Sequence, residues 1–108
     1  MKLLTAAIKK SLPKLGATDG QGYEAKVRVR FFNPYGVGTW LITEGEEQEN
    51  GDWLLYGYSE LGYEWEWGYV SLNELASLTK FGRPQIERDM YTGLGTVADF
   101  IYPILNDK

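Results

Sequence analysis

Between residues 26 and 70 the chain repeats one device, a short run of β-branched and aromatic residues closed by a turn signal. In "KVRVRFF" (26–32) Val27, Val29 and Phe31 fall on one side of an extended chain, and Arg28, Arg30 and Phe32 on the other. "NPYG" (33–36) follows, with proline in the second place of a turn. "TWLIT" (39–43) reads as the next strand, and "EGEEQENGD" (44–52) as an exposed hairpin loop, too charged to bury and turning at Asn50-Gly51. "WLLYGY" (53–58) and "YEWEWGYV" (63–70) supply two more strands. Four neighbouring strands with short links make an antiparallel meander.

The flanks read as helices. Leu4, Ile8, Leu12 and Leu15 recur at helical spacing, with Thr5 placed to cap and Pro13 to end the helix near Leu12. The glycine-rich stretch 16–22 is a flexible connection. Ser71 and Glu74 form a capping box for a short helix that points Leu72, Leu75 and Leu78 inward. "QIERDMY" (85–91) suits a fifth strand or an extended edge. Thr96 and Asp99 repeat the capping pattern before a last helix, with Val97, Phe100, Ile101 and Ile104 inward. The expectation is a single α+β domain over 1–108. Its antiparallel meander sheet of four to five strands carries an N-terminal helix and two C-terminal helices packed on one face.

That scheme assigns faces. Val27, Val29, Phe31, Trp40, Ile42, Tyr63, Trp65, Trp67 and Tyr69 are expected against the helices. Arg28, Arg30, Thr39, Leu41, Thr43, Glu64 and Glu66 are expected on the open face, where arginines and glutamates of neighbouring strands pair.

Composition limits the chemistry. The 108 residues include no cysteine and no histidine. Disulfides, thiolate metal sites, a Ser-His-Asp triad and an ordinary zinc site are therefore excluded. The acidic loop lacks the residue order of a calcium loop. No catalytic residue, cofactor or metal is assigned. The N-terminal apolar run spans only residues 3–8, too short for a secretory or membrane-spanning segment, so the expected location is cytoplasmic, with no membrane partner. Formal net charge is −4, unevenly spread. Seven of the 11 cations lie in residues 1–30, whereas residues 31–79 hold nine of the 15 acids and no cation.

This pattern favours a non-enzymatic protein that binds a macromolecule, foremost another protein. The residues chosen for that surface are Arg28, Arg30, Trp53, Glu64, Glu66, Glu87 and Arg88. Eleven of the 16 aromatics fall in 31–69, which suits base stacking, but the acidity of that span disfavours nucleic acid. Two alternatives stand beside this reading. One is an acidic mimic of DNA or antirestriction-type inhibitor, built on Glu46, Glu47 and Glu49. The other is a hydrolase using a carboxylate pair drawn from Glu64, Glu66, Glu87 and Asp89, which otherwise form ion pairs with Arg28 or Arg30.

Thr39-Trp40 with Glu44, the string Glu66-x-Gly68-Tyr69-x-Ser71-Leu72-x-Glu74-Leu75, and Ile86-Glu87-Arg88-Asp89 together resemble the small bacterial family catalogued as domain of unknown function 2958. The resemblance runs over roughly residues 3–89. It departs at Trp67, where an aliphatic residue is expected, and at Gln85, an extra residue after Pro84. It implies encoding on plasmids, integrating elements or phages, near DNA-processing or antirestriction genes. It implies no catalytic residue.

Overall fold

The computed structural model describes residues 2–90 and 95–106, with side chains as far as Pro103. In chain order its elements are α1 (Ala6–Ser11), a 3-10 turn (Gly22–Glu24), β1 (Val29–Phe32), β2 (Thr39–Glu47), β3 (Trp53–Glu60), β4 (Trp65–Ser71), α2 (Leu72–Ser77), β5 (Thr79–Lys80), β6 (Arg83–Pro84), β7 (Glu87–Arg88) and α3 (Val97–Asn106). Five strands form one sheet in the order β4-β3-β2-β1-β7, every pair antiparallel. The α+β class, the meander, the fifth strand from residues 85–91 and the three helices are as expected (Tyr91 and the Ile104 side chain lie outside the description).

The helix ends follow their caps. The amide of Ile8 donates to Thr5 Oγ1 at 3.2 Å, and Leu12 closes α1 just before Pro13. The Glu74 amide donates to Ser71 Oγ at 3.2 Å at the start of α2. At α3 the box is reciprocal: the Thr96 amide donates to Asp99 Oδ2 at 2.9 Å, and the Asp99 amide to Thr96 Oγ1 at 3.3 Å.

β2 is longer than expected. It continues through Glu47, and its register against β3 shifts between Ile42 and Glu44. This is a β-bulge, with Thr43 the extra residue. The acidic loop therefore shrinks to residues 48–52, turned at Gly51, whose φ is +87°. Glu44 is not in an exposed loop at all; it is 3% exposed.

The strand pairing also corrects the faces. Trp40 lies opposite Ser59, and Ser59 opposite Glu66, so Trp40 and Glu66 share a face. Leu41 lies opposite Tyr58, and Tyr58 opposite Trp67, which puts Trp65, Trp67 and Tyr69 on the other face. The first face is covered by the N-terminal segment, α1 and α2. Leu3, Leu4, Leu12, Val29, Phe31, Trp40, Ile42, Leu55, Leu75 and Ile86 form its core. The second face is covered by α3, where Val27, Leu41, Val97 and Ile101 are buried under Tyr58, Trp65, Trp67 and Phe100. Thus α1 and α2 share one face as expected, and α3 packs on the opposite one. Fully buried Phe31, Leu41, Ile42, Leu55 and Ile101 each contribute about 1.5–3 kcal/mol.

Two residues explain why both faces can be covered. Val27 and Val29 are two apart yet belong to different cores. The amide of Val27 donates to Gly95 and that of Val97 to Ala25, so the chain before β1 is drawn toward the start of α3. At Gly57 a Cβ would overlap the Leu41 carbonyl oxygen and come within 2.9 Å of the Ile42 Cα. Only glycine lets β3 lie this close to the bulged β2.

The short β5–β6 hairpin turns at Phe81-Gly82, both with positive φ, the pattern of a type I′ turn. "FGRP" thus folds back as a hairpin, with the Phe81 ring exposed at its tip.

Candidate functional site: an aromatic cleft walled by a glycine loop

The α3 side of the sheet carries a row of rings. On β3 and β4, Tyr56 pairs with Tyr69, Tyr58 with Trp67, and Glu60 with Trp65. Tyr56 stacks on Trp67 at 5.8 Å between centroids and 13° between planes. Tyr58 stacks on Trp65 at 5.3 Å and 17°. Tyr23, from the 3-10 turn, stacks on Trp67 at 6.2 Å and 20° and meets Tyr58 at 5.3 Å. Tyr102 of α3 meets Tyr23 edge-on at 6.3 Å. Such pairs add about 0.5–1.5 kcal/mol each beyond the area they bury. The row starts under α3 and ends open at Tyr69, which is 64% exposed.

Beside the open end lies a cleft of about 400 Å³, lined by Gly16, Thr18, Asp19, Gly20, Gly22, Ala25, Glu44, Tyr56, Trp67 and Tyr69. The sheet supplies the rings and the glycine-rich connection supplies the facing wall. Glu44 joins the two. The bulge at Thr43 sets Glu44 opposite Tyr56, on the cleft side. Its carboxylate accepts the Gly16 amide at 2.7 Å, the Thr18 amide at 2.8 Å, and the Thr18 hydroxyl. Hydrogen bonds to a charged acceptor contribute about 1.5–3 kcal/mol each. The connection is therefore tied to the sheet. Asp19 is exposed at the rim.

The phenols feel this environment. Burial raises the Tyr58 hydroxyl from 10.0 to about 12, helped by the hydrogen bond with the Tyr23 hydroxyl and by the charge of Glu64. Burial also raises the Tyr56 hydroxyl, with Tyr69, Glu44 and Asp19 adding in the same direction.

The residues chosen from sequence are not brought together as one surface. Glu64 and Glu66 lie before and on β4, an edge strand, both exposed. Arg30 is on β1, with β3 and β2 between it and β4, so the expected pairing of Arg28 or Arg30 with those glutamates across neighbouring strands does not form. Arg30 instead pairs with Asp89 at 2.6 Å, the structural alternative read from the sequence. Its guanidinium lies 5.3 Å from the Phe32 ring. Arg28 is half-buried, and its Nε has no hydrogen-bond partner among the described residues. Glu87 lies opposite Phe32 on the far edge strand. Arg88 donates to the Lys2 carbonyl at 2.7 Å. Trp53 packs against the core under α1, with Lys9 Nζ 5.6 Å from its ring.

The sequence reading missed Asp19, Glu44 and Tyr56 as cleft residues. Glu44 was marked by the family resemblance, and three glycines in residues 16–22 signalled a segment able to approach the sheet closely.

The fold and cleft define an α+β protein with one five-stranded sheet, covered on both faces, whose second face opens at one end onto an aromatic cleft. The model of the family described as protein of unknown function (DUF2958) matches residues 3–101, and the chain belongs to that family. The match extends past Asp89, where the sequence resemblance ended, into α3. No curated protein and no solved structure matches the chain.

Proposed function

We propose that this is a non-enzymatic accessory protein that binds another protein through the aromatic cleft. One observation carries the reading: a row of stacked rings runs out of the core and ends exposed at Tyr69, beside carboxylates and a tethered loop. Exposed aromatics in a concave, partly apolar site are typical anchors for a partner. The Glu44 lone pairs are engaged by the chain itself, which suits an anchor rather than a proton carrier.

The alternatives draw less support. Glu66 on β4 and Glu87 on β7 sit on opposite edges of the sheet, four strand spacings or about 19 Å apart, too far for a hydrolytic pair drawn from both edges. Glu46 and Glu47 are neighbours on β2 and so point to opposite faces, which disperses the charge a DNA mimic would gather. The resemblance supports encoding on a bacterial mobile element, and the cysteine-free composition suits a cytoplasmic setting.

The test is affinity capture from the native host with the parent protein and the variants Tyr69→Ala, Asp19→Ala and Glu66→Ala. Loss of the same partner with the first two and its retention with the third is expected. Retention by folded Tyr69→Ala and Asp19→Ala would remove the cleft from the account.

A further inference from the structure

Resting on that binding reading, we propose that the cleft takes a cationic side chain of the partner, arginine in preference to lysine. The rings of Tyr56, Trp67 and Tyr69 line the cleft, and Asp19 offers an exposed carboxylate. The buried carboxylate of Glu44, its oxygens engaged by Gly16 and Thr18, adds negative charge. Among the described residues no lysine or arginine lines the cleft. Some rings elsewhere carry the chain's own cations, among them Lys9 over Trp53, Arg30 over Phe32 and Lys80 over Tyr35, at 5.6, 5.3 and 5.8 Å. Tyr56, Trp67 and Tyr69 have no such cover among the described residues.

The polar lining selects against other ligands. The Gly16 and Thr18 amides and the Thr18 hydroxyl are spent on Glu44, so these donors are not offered to a guest. An anion would meet two carboxylates and the negative faces of the rings. A sugar needs donors and acceptors in balance, and the cleft is weighted to acceptors. A guanidinium suits both halves: its plane stacks on a ring and its donors fork onto a carboxylate. Gly16, Gly20 and Gly22 in the facing wall add no side chains to fill the space. Burial is the main cause that raises the Tyr56 hydroxyl, and the charges of Glu44 and Asp19 add to it in the sense of a negative potential inside the cleft.

The test is a two-dimensional amide and indole NMR titration of the full chain with three acetylated, amidated tripeptides. Each has glycine on both sides of a central arginine, lysine or citrulline. The arginine peptide is expected to shift the Trp67 indole and the amides of residues 16–22 and 69. The citrulline peptide, isosteric but neutral, is expected to bind at least about threefold more weakly. The lysine peptide is expected to bind more weakly than arginine; a lysine peptide that binds as well as arginine would overturn the preference. Asp19→Asn and Tyr69→Ala are each expected to weaken the arginine peptide by a similar factor, and their own spectra report whether they fold. Equal binding of arginine and citrulline peptides, or shifts placed outside the cleft, would overturn the assignment. If the arginine peptide fails while partner capture still depends on Tyr69, the cation assignment falls and the binding reading stands. If capture is indifferent to Tyr69, the binding reading falls.

Discussion

The carboxylate of Glu44 holds the amide of Thr18 at 2.8 Å, across 26 residues of sequence, and so fixes one wall of the cleft to the sheet. Gly16 is held the same way at 2.7 Å. Removing the carboxylate leaves these donors to water. Glu44→Ala is expected to cost about 2–3 kcal/mol in urea unfolding and to expose the connection to trypsin at Lys14, read by limited proteolysis. A variant as stable and as resistant as the parent would show that the tether holds nothing.

Gly57 tests the bulge. Gly57→Ala forces a Cβ into the Leu41 carbonyl oxygen and is expected to destabilise by about 3 kcal/mol. Gly68→Ala on the neighbouring strand meets nothing within 4 Å and is expected to change the unfolding midpoint little. Equal effects would contradict the register of β2 against β3.

The Tyr58 hydroxyl sets an alkaline limit. Its folded value, about 12, lies above the ordinary 10.0, so the folded state holds the proton more tightly. The resulting stabilisation is fully present below about pH 10 and is lost as pH rises through about 12. Ultraviolet titration is expected to show Tyr58 ionising last, with Tyr56 also shifted upward, and Tyr58→Phe is expected to remove the last step. Its stability is expected to fall less steeply than the parent's over the same range.

Asp52 sets an acid limit. Hydrogen bonds from Ser71 and from the Asn73 and Trp53 amides outweigh desolvation and hold its carboxyl below the ordinary 3.8. It accepts the Asn73 amide at 3.0 Å at the start of α2. A lowered value stabilises above the unfolded pKa, and that contribution is lost as pH falls through the folded one. Asp52→Asn is expected to be less stable than the parent at pH 7, with the gap closing well below pH 3.8 in urea unfolding. A gap independent of pH would contradict this.

The elements were legible in the sequence because their signals are local. Thr5, Ser71 and Thr96 cap where their spacing places them, and Asn50-Gly51 turns the hairpin. The faces were not legible. A sheet buried on both sides leaves no polar side to mark parity: β3 sends Leu55 to one core and Tyr58 to the other. The bulge at Thr43 then shifts every later residue of β2, and nothing in "TWLITEGEE" separates a bulged strand from a strand and a loop. The surface read from sequence is not assembled for the same reason, since Glu66 and Arg30 have two strands between them and lie on opposite faces. Glu66 is better understood as a charge on an edge strand, which discourages unwanted pairing.

The most direct measurement places a photo-crosslinking phenylalanine analogue at position 69, in the cleft, or at position 66, on the other face of β4, and irradiates each protein in its native host. A covalent adduct with one protein from position 69, absent from position 66, is the expected result. Adducts from position 66 alone, or from neither position, would contradict the claim that the aromatic cleft is the binding surface.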